Sequence, residues 1–193
     1  MLEHLKTGGW VMIPLVVVSI IMVFLIIVKF LEMRTFTQGD ISVDQCLKTA
    51  GQPDFSAAFW QQAIISGFLR GRTFNESLDR NILDSLRLRQ EAFAKRLIGI
   101  IAILAAVAPL LGLLGTVGGM IKTFTVISVY GTGNAKALAS GISEALITTQ
   151  TGLVVAIPGL FLASYLNRRS EKLLARMQRF CLGLLKQHRS IKG

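Results

Sequence analysis

Residues 97–130 read LIGIIAILAAVAPLLGLLGTVGGMIKTFTVISVY, a stretch in which Lys122 is the only charged residue. A helix of this length extends about 50 Å, which exceeds the hydrocarbon core of a bilayer at about 30 Å. The stretch therefore predicts a transmembrane helix, with Lys95 and Arg96 at its inner end. Pro109 lies inside it and is expected to bend it, because proline lacks the N–H of a helical hydrogen bond.

Two other apolar runs predict further transmembrane helices. Residues 10–28, WVMIPLVVVSIIMVFLIIV, form an uncharged run of about the length that spans a bilayer. Because Lys29 follows this run and no small-residue cleavage site does, we interpret it as a retained anchor rather than a signal peptide. Residues 135–167 form the third predicted span, which ends before Arg168, and GTGN at 131–134 is the turn that precedes it.

The composition and the distribution of charge favour an integral membrane protein. Of the 193 residues, 52% are hydrophobic, which is too many for an ordinary soluble domain. Of the 21 Lys and Arg residues, ten lie in residues 29–96 and eight lie in residues 168–193. This asymmetry follows the positive-inside rule, so we place both segments in the cytoplasm and residues 1–9 on the outer side. The same clustering argues against nucleic acid as a partner, despite the net charge of +10.

The cytoplasmic segment, residues 29–96, is predicted to be helical. Residues 56–69 (SAAFWQQAIISGFL) and 77–97 (SLDRNILDSLRLRQEAFAKRL) both show the apolar spacing of amphipathic helices, and the segment shows no strand pattern. LLARMQRFCLGLL at 173–185 predicts that the third span continues as a cytoplasmic helix over residues 168–193. The predicted fold is thus an all-α integral membrane protein with three transmembrane helices and long cytoplasmic helical extensions.

The third span carries an ionisable residue, Glu144, on a face of polar and small side chains. A carboxylate in hydrocarbon is costly unless it is paired or protonated, so such a residue indicates function by default. The alternative is a neutral glutamate that only forms a hydrogen bond with a neighbouring helix. No basic residue lies within seven positions of Glu144. The other polar residues of this face are Ser140, Thr148 and Thr151, and its small residues include Gly141, Ala145, Thr149 and Gly152.

The second span carries a matching stripe of small residues. Small side chains at intervals of four let two helix backbones approach closely, so we expect the glycines of both spans to form a packing surface. Thr116 lies on this stripe and is expected to share a depth with Glu144, whereas Lys122 is expected to extend outward from the helix. The stripe includes Ala105, Ala108, Gly112, Thr116, Gly119 and Thr123, and Gly115 is a further packing candidate.

The sequence lacks the residue patterns of an enzyme. His4 and His188 lie at opposite ends of the chain, so no Ser–His pair can form within the membrane. GLLGTVGGMIKT at 112–123 is not a phosphate-binding loop, because Ile121 stands where that loop has glycine before its lysine. We therefore predict no catalytic residue, no cofactor and no metal site. Cys46 and Cys181 form no CxxC motif and are interpreted as reduced, buried thiols.

Three stretches together resemble a known family. APLLGLLGTVGGMIKTF (108–124) and ISEALITTQTGLVVAIPG (142–159) resemble the paired-span signature of the ExbB/TolQ/MotA family of proton-channel subunits. GGWVMIPLVVVS (8–19) resembles the opening of the family's first span, and the strong match covers about residues 85–170. The three-span layout and Glu144 point to the ExbB/TolQ branch, because MotA-type members have four spans and normally lack this glutamate.

The resemblance implies a role and partners for the chain. It implies a homopentameric ring around a dimer of a single-span subunit of the ExbD/TolR type, whose Asp takes up and releases protons. The complex would use the proton motive force to drive a TonB- or TolA-like protein in outer-membrane import or envelope maintenance. It implies a multi-pass protein of the bacterial inner membrane, with a periplasmic N-terminus, a periplasmic turn at 131–134 and a cytoplasmic C-terminus. On the residue match, Thr116 and Thr149 are the pore-facing threonines and Glu144 is the family glutamate, while Thr148 and Thr151 extend the same polar surface.

Two other functions are alternatives to this role. In the first, the chain is a structural membrane scaffold whose polar face only directs helix packing. In the second, it is a small transporter, which is weakly supported because the chain has three spans and no inverted repeat. The residues themselves do not decide between protons and sodium, or whether Glu144 titrates.

Overall fold

The computed structural model describes residues 8–40, 57–71, 73 and 76–190. Within these residues the structure is helical and contains no strand, which confirms the all-α prediction. Residues 1–7, Cys46 and residues 191–193 lie outside the described part of the chain. The described residues form the α-helices α1 (Met12–Thr37), α2 (Phe59–Gly71), α3 (Glu76–Lys95), α4 (Ile98–Tyr130) and α5 (Ala135–Ser190), with a 3₁₀ turn at Gly131–Gly133 between the last two.

Three of these helices, α1, α4 and α5, are long and apolar enough to cross a membrane. They contain 26, 33 and 56 residues. At 1.5 Å per residue, α5 is about 84 Å long and greatly exceeds the hydrocarbon core, so one unbroken helix contains both the third predicted span and the predicted C-terminal helix. The prediction of three long apolar helices is confirmed.

Backbone conformation defines both ends of α4. Leu97 precedes the helix with a φ of 71°, in the left-handed region that non-glycine residues rarely adopt, and this interrupts the helix between α3 and α4. Gly131 follows the helix with a φ of 64° and donates its N–H to the carbonyl oxygen of Ile127. Pro109 lies inside α4, which continues on both sides of it, and a kink there stays a prediction.

The chain divides into two compact units. The first contains the residues up to Ile27 together with Leu97–Tyr165, and the second contains Val28–Arg96 together with the residues from Leu166 onward. In the first unit many large apolar side chains are exposed, as expected of helices that face lipid. They include Ile20, Phe24, Ile103, Leu110, Phe124, Leu146, Ile157 and Phe161.

The second unit has a conventional apolar core. Trp60 of α2 packs edge-on against Phe180 of α5, with ring centroids 5.2 Å apart, and Met177 is completely buried in the same cluster. Cys181 also belongs to this core, and its burial raises the pKa of the thiol from 9.0 to about 11. The amphipathic spacing seen in the sequence of this segment therefore corresponds to real buried faces.

A buried lysine lies in the second unit as well. Lys29 is 1% exposed, and its ammonium group donates to the Glu32 carboxylate and to the Phe93 carbonyl oxygen, each at 3.2 Å. A buried cation is tolerated when it is paired and hydrogen-bonded in this way. The contact connects α1 to α3 within the unit.

Candidate functional site

The helices α4 and α5 form an antiparallel pair in which glycines bring the two backbones together. A Cβ atom on Gly152 would lie 2.8 Å from the Ala108 carbonyl oxygen and 3.2 Å from the Gly112 Cα. A Cβ atom on Gly115 would overlap the side chain of Thr148. Such spacing excludes any residue larger than glycine without a backbone shift. The structure thus brings together the six residues predicted for helix packing: Gly112, Gly115, Gly119, Gly141, Ala145 and Gly152.

A further glycine, Gly159, brings α1 against the same pair. A Cβ atom there would lie 2.5 Å from the Met22 sulfur and 2.9 Å from the Ala105 Cβ. Met22 and Ala105 are both buried. Sequence analysis did not single out Gly159, although it lies seven residues after Gly152 and so continues the same helical face.

The carboxylate of Glu144 is paired with Lys122. The Lys122 ammonium group lies 2.6 Å from one carboxylate oxygen of Glu144 and 2.8 Å from the other. The Lys122 side chain is 55% exposed, in keeping with the expectation that it extends outward, and its ammonium group also reaches the neighbouring helix. The search along the chain missed this partner because the two residues are 22 positions apart and meet only across the turn.

The register of the two helices explains why Lys122 and Glu144 meet. Lys122 lies eight residues before the last residue of α4, and Glu144 lies nine residues after the first residue of α5. At 1.5 Å per residue, both are about 12 to 14 Å from the turn. The sequence signal for the pair is therefore that Lys122 and Glu144 lie at similar numbers of positions before and after the turn GTGN at 131–134.

The expected common depth of Thr116 and Glu144 is also wrong. Gly115 packs against Thr148, and Gly119 packs against Ala145. Thr116 therefore lies opposite residues of α5 that are about one helical turn C-terminal to Glu144. The physical reason is that the glycine contacts determine which residues of the two helices lie opposite each other. The buried stripe of α4 accordingly contains Gly115, while Thr116 is only half-buried.

The backbone of Gly9 lies against one side of the ion pair between Lys122 and Glu144. A Cβ atom on this residue would overlap the Glu144 carboxylate and would lie 3.5 Å from the Lys122 ammonium nitrogen. Gly9 also has a φ of 66°, which favours glycine. Both observations require glycine here, and Gly9 is a residue of the site that the sequence analysis missed.

The threonines of the site form hydrogen bonds mainly to their own helices. Thr148 is completely buried between α4 and α5, and its hydroxyl group donates to the Ala145 carbonyl oxygen at 2.9 Å. The hydroxyl groups of Thr116 and Thr151 donate to carbonyl oxygens one turn earlier, each at 2.7 Å. This is the usual bonding of a threonine in a membrane helix.

Thr149 differs from the other threonines because its hydroxyl group reaches both helices. It lies 3.4 Å from the Gly112 carbonyl oxygen of α4 and 3.3 Å from the Ala145 carbonyl oxygen of its own helix. Thr149 is half-buried. Its hydroxyl group is therefore a polar contact within an interface otherwise formed by small residues.

The ion pair also lines a surface depression of about 440 Å³. Its polar lining consists of Lys122, Thr125, Ser140 and Glu144. The Glu144 side chain is 14% exposed, whereas that of Lys122 is 55% exposed. The carboxylate is thus the sheltered partner, and the ammonium group lies on its open side. Among the described residues, no cluster of His, Cys, Asp or Glu could hold a metal ion.

Comparison with known proteins identifies the family of this helix pair. Residues 57–179, well over half the chain, match the model of the MotA/TolQ/ExbB proton channel family. The chain belongs to this family. It is also 40% identical over 113 residues to the biopolymer transport protein ExbB of Aquifex aeolicus (strain VF5), a match that covers 58% of this chain and 75% of the relative.

Membership of the MotA/TolQ/ExbB family confirms the resemblance seen in the sequence. The matched residues include all of α4, the turn and most of α5. Lys122 and Glu144 therefore both lie within the part of the chain that matches the family model. Together with three apolar helices, the family identifies a multi-pass membrane protein. It supports a proton-channel role in energy transduction.

Proposed function

We propose that the chain is the ring-forming subunit of an inner-membrane stator that couples the proton motive force to a TonB- or TolA-like periplasmic protein. The observation that carries the proposal is the ion-paired carboxylate of Glu144 within a glycine-packed helix pair of a proton-channel family. An ionisable residue inside a membrane helix is costly and indicates a functional site by default.

The proposed ring is a homopentamer that encloses a dimer of a single-span subunit of the ExbD/TolR type. Residues 97–167 contain one carboxylate, that of Glu144, so the proton-binding Asp is assigned to that partner. One elementary charge that crosses the membrane releases about 2.3 kcal/mol per 100 mV. Neutralisation of the partner's carboxylate would permit its helix to step from one copy of this chain to the next.

We assign Thr116, Glu144, Thr149 and Thr151 to the surface along which the proton passes. Thr148 supports this surface from between the two helices, because it is completely buried against Gly115. The threonine hydroxyl groups retain oxygen lone pairs after they donate to backbone carbonyls. They can therefore accept a hydrogen bond from water or from a protonated carboxyl group.

The proposed topology has a periplasmic N-terminus and a cytoplasmic C-terminus. It rests on the ten basic residues in 29–96 and the eight in 168–193, which the positive-inside rule assigns to the cytoplasm. In this topology the turn at 131–134 is periplasmic and the second unit is cytoplasmic. A cysteine introduced at Ser128, near the turn, is then expected to react with a membrane-impermeant maleimide added to whole cells.

Co-purification with the product of a neighbouring gene tests the proposal. The expected partner is a short protein with one apolar span and an Asp near the start of that span. Native mass spectrometry is expected to count five copies of this chain and two of the partner. Substitution of the partner's Asp by Asn is then expected to abolish proton-driven work without dissociation of the complex.

The structural-scaffold hypothesis makes a different prediction for the same complex. If the polar face only directs packing, Glu144→Gln changes assembly or stability but leaves proton-dependent work intact. If the stator proposal holds, Glu144→Gln reduces that work in a complex that still assembles. Full activity of Glu144→Gln or Thr149→Val in the assembled complex would contradict the assignment of the pathway residues.

A further inference from the structure

The ion pair of Lys122 and Glu144 leaves little room for another cation at the carboxylate. Both carboxylate oxygens lie within 2.8 Å of the same ammonium nitrogen. The backbone at Gly9 lies against the carboxylate from a second side. A metal ion could bind both oxygens of Glu144 only if it displaced Lys122 from the carboxylate.

The open side of the pair brings no second charge to it. In the depression, the side-chain oxygens besides those of Glu144 belong to Thr125 and Ser140. Both are neutral hydroxyl groups, and that of Thr125 donates to the Ile121 carbonyl oxygen at 2.9 Å.

Lys122 is also the charged group that the structure places at Glu144. Within the described part of the chain, no other basic or acidic side chain forms an ion pair with either residue. From the segment before α1 the contact is the backbone of Gly9, and on α5 the neighbouring Thr148 hydroxyl group bonds to backbone carbonyls.

We propose that Lys122 is a positioning residue which holds Glu144 in an ion pair, so that Glu144 shapes the proton pathway without carrying the proton. The inference rests on the proposed function, because it specifies what Glu144 does in that pathway. It leaves proton binding to the partner's carboxylate.

The proposal gives a characteristic pattern for single and double variants. Removal of one partner of a sheltered ion pair leaves an uncompensated charge, whereas removal of both leaves a neutral site. Lys122→Met and Glu144→Gln are therefore each expected to reduce proton-driven work at least about tenfold, a barrier change of about 1.4 kcal/mol. The double variant Lys122→Met/Glu144→Gln is expected to recover most of that loss. If Glu144 carried the proton, the double variant would be as inactive as Glu144→Gln.

A labelling experiment tests the state of Glu144 without any transport assay. Dicyclohexylcarbodiimide reacts with protonated carboxyl groups in membrane proteins, and the modified residue is identified by mass spectrometry of the purified complex. Lys122→Met is expected to raise the labelling rate of Glu144 at least about tenfold, because it removes the ammonium group that lies within 2.8 Å of both carboxylate oxygens and leaves the carboxyl group accessible. Lys122→Arg, which retains the charge, is expected to label at the wild-type rate. Lys136→Met, which removes an exposed lysine of α5, is the matched control.

The outcomes separate this inference from the proposed function. Wild-type Glu144 that is labelled as rapidly as in Lys122→Met would overturn the inference. Slow wild-type labelling, together with activity in the double variant, supports it. If the wild-type complex performs no proton-driven work, the proposed function fails, while the labelling rates still decide whether Lys122 controls Glu144.

Discussion

Gly119 of α4 and Gly141 of α5 are in backbone contact. A Cβ atom on Gly119 would lie 2.7 Å from the Gly141 carbonyl oxygen and 2.8 Å from the Cβ atom of Ala145. Backbone, rather than the end of a flexible side chain, occupies the space that a larger residue would need. The two helices can accept a side chain at Gly119 only if they separate.

We therefore expect Gly119→Ala to destabilise the protein. Alanine favours the helix by about 1 kcal/mol over glycine, but overpacking in a close interface costs about 1–3 kcal/mol. The expected result is a lower melting temperature in detergent. Gly118→Ala is the control, because a Cβ atom there would meet nothing within 4 Å and the helix preference is the same. Equal melting temperatures for the two variants would show that the contact is not tight.

Substitution of Gly9 tests the contact that closes the ion pair. Gly9→Ala introduces a Cβ atom that overlaps the Glu144 carboxylate, and it also places alanine at a φ of 66°. Gly39→Ala is a control for the backbone conformation, because Gly39 has a φ of 81° and a Cβ atom there would make only ordinary contacts at 3.5 Å or more. Both variants place alanine at a positive φ, which costs about 1–2 kcal/mol. Gly9→Ala is expected to lose more than Gly39→Ala, measured as melting temperature in detergent. A larger loss in Gly39→Ala would contradict the geometry at Glu144.

Thr149→Val tests the hydroxyl group that reaches both helices. Valine keeps the shape of the side chain, so the free energy of unfolding is expected to fall by only about 1 kcal/mol. Proton-driven work of the complex is expected to fall at least about tenfold, because the variant removes a polar group from the proposed pathway. Thr35→Val is the matched control, since that hydroxyl group also donates to a carbonyl oxygen of its own helix, at 3.1 Å, but lies in the second unit. A parallel loss of work in both variants would contradict a specific role for Thr149.

The thiol of Cys181 is expected to be unreactive in the folded protein. Burial raises its pKa from 9.0 to about 11, so at pH 8 the folded chain holds about 100-fold less thiolate than the unfolded chain. In a Cys46→Ser background, iodoacetamide is therefore expected to modify Cys181 about 100-fold more slowly before denaturation than after it, as measured by mass spectrometry. Rates within a few-fold of each other would contradict the burial.

The same pKa also gives the sign of a pH effect on stability. A raised thiol pKa means that the folded state binds the proton more tightly than the unfolded state. The stabilising contribution of Cys181 is then complete below pH 9.0 and is lost as the pH rises toward about 11. Cys181→Ala is expected to flatten that part of the curve of unfolding free energy against pH.

Much of the fold could be predicted because the chain's longest apolar runs must satisfy their own backbone hydrogen bonds in a membrane. This requirement makes residues 10–28 and 97–130 helical irrespective of their neighbours. The glycines at intervals of about four in α4 and α5 also indicated the packing face, since spacing along a helix determines which side chains share a side. The second unit was predictable in the same way, from the helical apolar spacing of residues 77–97.

The pairing of Lys122 with Glu144 could not be read from either helix alone. Along the chain, no basic residue lies within seven positions of Glu144, so neither helix by itself shows a partner for it. Only the register between α4 and α5, which the contacts of Gly115 and Gly119 determine, shows which residues face each other. The same register shows that Thr116 and Glu144 lie at different depths along the helix pair.

The sequence by itself determined that the protein is helical, that three helices are long and apolar enough to span a membrane, and which family it belongs to. These properties follow from hydrophobicity, periodicity and short motifs, which are local along the chain. The tertiary structure alone decided that Glu144 is a paired carboxylate enclosed by Lys122 and the backbone of Gly9. An ion pair depends on a separation of a few ångströms, and such separations arise only when residues distant in the chain are packed together.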